Sequence, residues 1–152
     1  MKRTILALAF FSLTAPAFGQ GVDPLVGAWK LNLEKSAFIG SIPPKSQTLT
    51  WTGEGQTLVN NSETVDDQGR AFKSVFRHIY DGMPHPTTGF PGFDSTSYTR
   101  TGNTIGVARF NNGKQVQVAQ AVIVPGKTYT LTSGGIDENN RPYYIVAVYD
   151  RQ

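Results

Sequence analysis

The chain has 152 residues, with 14 Lys and Arg against 11 Asp and Glu for a formal net charge of +3, and it has no cysteine. Without cysteine there is no disulfide framework, no thiolate nucleophile and no sulfur-based zinc site, and its basic residues are scattered singly, without the stripe that a nucleic-acid surface needs. Sixteen glycines, nine prolines and no long helical periodicity point to an all-β domain.

Residues 1–19 follow the plan of a secretory signal peptide. Lys2 and Arg3 open it, an apolar run covers residues 5–13, and Ala15-Pro16-Ala17-Phe18-Gly19 is a small-residue exit. The run is too short for a stable membrane anchor. The expectation is cleavage after Gly19 and export to the periplasm or the exterior, with no stable membrane insertion afterwards. Lys2 and Arg3 supply two of the three net charges, so the mature chain is near +1. Residues 20–152 have the length of one domain that packs a single core without covalent staples.

Strand signals then recur at short, even spacing. Residues 28–33 alternate, with Trp29, Leu31 and Leu33 on one face against Lys30 and Asn32. Residues 46–52 set Leu49 and Trp51 against three threonines, the pattern of a half-buried antiparallel strand. Pro43 and Pro44 make the segment between them a loop. Residues 58–65 read as a weaker strand, diluted by Asn, Ser and Glu, and Gly69 marks the turn that follows. In residues 71–80, Phe72, Ser74, Phe76, His78 and Tyr80 share a face, while Ala71, Val75 and Ile79 leave inward and outward open.

Residues 81–94 hold three prolines and three glycines, and an irregular stretch of that length points to function or mobility rather than a plain connection. Phe90 and Phe93 within it suit a lid or a contact patch for a partner. Tight hairpins follow: residues 95–100, 104–110, an Asn112-Gly113 turn, 114–124, 128–133 and 141–150. In the 114–124 strand, Gln120 interrupts an expected inward face of Val116, Val118, Val122 and Val124. In the last strand both faces are apolar: Ala147 and Tyr149 line the core if Arg151 points inward, Tyr144 and Val146 if it points outward. Eight or nine antiparallel strands in continuous meander predict an up-and-down β-barrel, because closure removes exposed edges.

Gly27-x-Trp29 at the head of the first strand resembles the short signature of lipocalin-like (calycin) barrels. The longer stretches "DPLVGAWKLNLEKS", "YDG" and "VAVYDRQ" are similar to small exported bacterial lipocalin-like proteins, from about Asp23 to Arg151. The resemblance implies a barrel and no particular activity. It also implies that Gly27, Trp29 and Arg151 close one barrel end, the guanidinium packing on the indole, an attraction of roughly 0.5–2 kcal/mol.

Enzyme and metal chemistry find little support. His78, Asp81 and His85 are a metal set by residue type, but their spacing fits no strong motif. Asp94 and His85 could join a serine on paper, yet no Gly-x-Ser-x-Gly elbow is present. Glu54 and Glu63 lack an aromatic cleft for glycoside chemistry. The sequence therefore predicts a non-enzymatic protein without cofactor or metal, an exported binding protein for a small apolar ligand. Phe76, His78, Tyr98 and Arg100 are its expected pocket residues, since an apolar lining with a few polar groups is how small-molecule pockets are built. The alternative is a filled β-barrel acting through its surface as an envelope-associated protein-interaction module.

Overall fold

The computed structural model describes residues 22–54, 57–137 and 139–152; the expected signal segment, residues 1–19, lies outside them. Among the described residues the strands are β1 (Gly27–Leu31), β2 (Ala37–Ile39), β3 (Ser46–Glu54), β4 (Thr57–Val65), β5 (Ala71–His78), β6 (His85–Pro86), β7 (Ser95–Thr101), β8 (Thr104–Asn111), β9 (Lys114–Val124), β10 (Thr128–Ile136) and β11 (Pro142–Arg151). All pair antiparallel in one sheet, in the order β5-β4-β3-β1-β11-β10-β9-β8-β7-β6, with β2 on β11. The two strands beyond the expected nine are β2 and β6, three and two residues long, too short to show a sequence pattern.

The sheet curls until its ends meet. Val75 of β5 and Thr88 exchange backbone hydrogen bonds of 3.0 and 3.4 Å, an isolated bridge that closes the barrel along one seam. Gly89 follows it with φ of +77°, and a Cβ there would lie 2.1 Å from the Lys73 carbonyl, so only glycine lets the two backbones approach. Residues 81–94 thus do more than stand at one mouth. They run along the seam, held by Gly82 N–H to Tyr98 O and Thr87 N–H to Asp94 O.

One end of the barrel is sealed. Trp29 and Leu25 are fully buried, and the indole Nε1 donates to the Leu25 carbonyl at 2.7 Å. Arg151 pairs with Trp29 across β1 and β11, its guanidinium carbon 5.2 Å from the ring centroid, and it donates to the carbonyls of Pro24 and Val26. Gly27 has φ of +129°, and a Cβ would sit 2.9 Å from Arg151 Nη2, so the glycine of Gly-x-Trp makes room for the arginine. In β11 the inward parity is that of Ala147 and Tyr149, both buried.

Two sequence expectations are corrected. Leu33 does not continue the inner face of β1: the strand ends at Leu31, the Asn32 side chain accepts from Lys35 N–H to start a short 3-10 turn, and Leu33 is exposed. On β9, Val118, Val122 and Val124 face outward, Val118 at 52% exposure, while Gln117, Ala121 and Ile123 are buried and Val116 stays on the inner side. A β-bulge at Arg109/Phe110 lies opposite Val116 and lets it depart from the parity of the other three valines.

Candidate functional site

The other end opens into a cavity of about 850 Å³. Its rim carries the turns around Asp66 and Asp67, the Phe90–Phe93 tip, Asn111, and the Asp137–Arg141 turn, while its floor reaches His78, Tyr98 and Tyr129. Inner positions of β1, β2, β10 and β11 supply an apolar wall of Leu31, Phe38, Leu131, Ile145 and Ala147. Inner positions of β3, β4 and β5 supply Gln47, Asn60, Ser62, Thr64 and His78, interleaved with Leu49, Phe72 and Phe76. Period-two geometry makes these walls: on β4 every second residue from Leu58 to Thr64 points in, and three of those four are polar.

Three of the four expected pocket residues line this cavity. Phe76, His78 and Tyr98 are each less than a tenth exposed. His78 stacks on Tyr98 with centroids 3.6 Å apart, and meets Trp51 edge-on at 4.5 Å. Arg100 is not part of it. Its side chain lies towards the sealed end, donating to Asp23 at 2.5 Å and reaching the Tyr80 hydroxyl at 3.5 Å. Gly27, Trp29 and Arg151 also stay out of the cavity, as closure residues should. Phe90 and Phe93 stack at 4.6 Å and pack on Phe72 and Phe76 at the rim; Phe93 is buried rather than displayed.

None of the titratable sets named from sequence is assembled as a whole. Asp81 and His85 bond each other on the outside, while His78 is inside the barrel. Asp94 binds Ser95 and the Asn112 N–H, Glu54 pairs with Arg77, and Glu63 pairs with Lys73. Among the described residues no group of three or more His, Cys, Asp or Glu side chains could hold a metal ion.

Sequence reasoning missed the cation of the site. Arg109 enters the cavity from β8, its guanidinium carbon 4.6 Å from the Phe93 centroid and 5.9 Å from that of Phe76. It donates to the amide oxygen of Gln117, and none of the ion pairs among the described residues involves it. Burial holds His78 well below the usual imidazole range, and the charges of Arg109 and Arg100 push the same way. Its ring is therefore neutral. Burial pushes the Tyr98 phenol up to about 12 and raises Tyr129 and Tyr149, so these hydroxyls stay protonated. A second set is internally satisfied: Tyr149 donates to Gln47 Oε1, and Gln47 Nε2 donates to Ser62 and Thr64. The site holds hydrogen-bond donors, one unpaired cation and apolar walls, which suits non-covalent capture of a small molecule.

No family model matches the chain, and no curated protein does. Solved structures share its fold. Rv2717c from M. tuberculosis is 15% identical with a TM-score of 0.52, covering 85% of this chain and 93% of that one. Zebrafish ileal bile acid-binding protein, solved with cholic acid, is 11% identical with a TM-score of 0.50, covering 86% and 100%. At these identities the likeness shows the fold, a calycin-like antiparallel barrel.

Proposed function

We propose that the protein is an exported, non-enzymatic carrier that holds one small, largely apolar molecule inside the barrel. The observation that carries this reading is the 850 Å³ cavity, open at one end, sealed at the other, and of the size that ligand sites use. The unpaired guanidinium of Arg109 favours a ligand whose polar end accepts hydrogen bonds. The bound cholic acid of the zebrafish neighbour supports a ligand of this general kind. Export rests on the sequence of residues 1–19. An open cavity supports the carrier over the filled barrel that acts through its surface.

The test is native mass spectrometry on mature protein purified from the exported fraction, set against the denatured mass. The expected result is a discrete extra mass, lost on denaturation and lost in Ala147→Phe, which fills the cavity from its apolar wall. An unliganded mass, with no thermal shift from fatty acids, retinoids or haem, overturns the carrier reading.

A further inference from the structure

Five buried side-chain atoms among the described residues have no hydrogen-bond partner: Trp51 Nε1, Asn60 Oδ1, Ser74 Oγ, His78 Nδ1 and Arg109 Nε. They are not scattered. Asn60 pairs with Phe76 across β4 and β5, and Trp51 pairs with Asn60 across β3. Ser74 and His78 flank Phe76 on β5, two residues to either side and on the same face. Arg109 lies over the Phe76 ring. Asn60, Ser74 and His78 lie within one strand spacing or one side-chain repeat of Phe76, Trp51 is one strand further off, and Arg109 reaches the ring from β8.

The neighbouring Gln47, Ser62 and Thr64 come from the same wall and, with Tyr149 of β11, satisfy one another. Polar side chains placed there only to hold strands together would have done likewise. Buried groups left unpaired cost stability, and in a ligand cavity they mark what a ligand brings. Asn60 and His78 are at most 6% exposed, and both line the cavity, whereas Ser74 lies off it.

Resting on the carrier reading, we propose that the ligand carries a hydroxyl on its apolar body, and that Asn60 and His78 receive it beside Phe76. Asn60 Oδ1 accepts only, so it needs a donor, which a hydroxyl has and a carbonyl or carboxylate lacks. The same hydroxyl accepts from the neutral imidazole of His78. A ligand with plain hydrocarbon at that point leaves both groups unpaired, and sites of this design reject the deoxy analogue strongly. The specificity of the barrel lies in this neutral pair.

Matched pairs test it: 12-hydroxystearate against stearate, and cholate against cholanate, titrated calorimetrically into the mature protein. The hydroxylated member binds at least tenfold tighter to the unaltered protein. The preference disappears in Asn60→Leu, which turns that point of the wall apolar, and His78→Phe reduces it if the Asn60 variant does not fold. Equal affinity within both pairs overturns the hydroxyl assignment while leaving a carrier. Binding of neither member of either pair overturns both readings together.

Discussion

The sealed end and the β3–β5 wall both bury polar atoms under aromatic rings, and they treat them oppositely. At the sealed end Trp29 Nε1 has the Leu25 carbonyl, Arg151 has the carbonyls of Pro24 and Val26, and Arg100 has Asp23. On the wall, Asn60 Oδ1, Ser74 Oγ and His78 Nδ1 have no partner among the described residues. A satisfied polar network under an indole tightens the fold, whereas unsatisfied groups weaken it and persist where a site needs them. The two regions therefore divide the labour. One end fixes the barrel, and under the proposed function the other keeps binding chemistry at some cost to stability.

The largest expected effect breaks the sealed end. Trp29 is fully buried beneath Arg151 and against Tyr129, with ring centroids 6.4 Å apart. Trp29→Ala is expected to cost about 3–5 kcal/mol of unfolding free energy, read from urea denaturation followed by circular dichroism. A loss below about 1 kcal/mol would mean that the end cap is a loose flap and that the barrel is held elsewhere.

The legibility of the sequence divides along the same line. Gly27, Trp29 and Arg151 could be found because a short motif and a terminal arginine lie at the two chain ends that β1 and β11 bring together. Strand positions followed from period two and from turns such as Asn112-Gly113. The wall was harder. Inward Asn60, Ser62 and Thr64 read as dilution of a weak strand, because polar residues on both faces hide which face is inner. Arg109 is one of the singly scattered basic residues, with no pattern to set it apart in "VARF", and Arg100 was expected as a pocket residue. Long side chains reach beyond their own strand, and alternation alone does not say which end of the barrel they reach. The outward Val118, Val122 and Val124 of β9 misled for a related reason: alternation separates the two faces of a strand without saying which is inner, and here Gln117, Ala121 and Ile123 are inside.

A mid-sized effect concerns acid. His78 is neutral and buried in the fold, with Trp51, Tyr98 and the two arginine charges around it. Its folded pKa lies below the unfolded value of about 6.5, so below that pH the unfolded chain binds the extra proton. The contribution of His78 is thus fully present above about pH 6.5 and is lost as pH falls, by up to about 1.4 kcal/mol per pH unit. The lowered carboxylates of Asp66, Asp81, Asp94, Asp137 and Asp150 act in the same direction, but below the ordinary carboxylate range near pH 4. Urea denaturation at pH 7.5, 6.0 and 5.0 separates them: His78→Leu should flatten the slope between 6.5 and 5, and an unchanged slope would place the acid sensitivity elsewhere.

The smallest effect is informative through its sign. Ser74 is 1% exposed and its hydroxyl has no partner, so Ser74→Ala removes an unpaired polar atom and leaves almost no cavity. In a satisfied core a buried Ser→Ala change loses a hydrogen bond and destabilises by about 1 kcal/mol. Here nothing is lost to the fold, so the unliganded variant should be as stable as the unaltered protein or slightly more stable, by up to about 1 kcal/mol. Thermal melts of ligand-stripped protein read the sign directly. A clear loss of stability would mean that the Ser74 hydroxyl is tied into the wall as Gln47 is. The wall would then resemble the sealed end, and the contrast between the two regions would disappear.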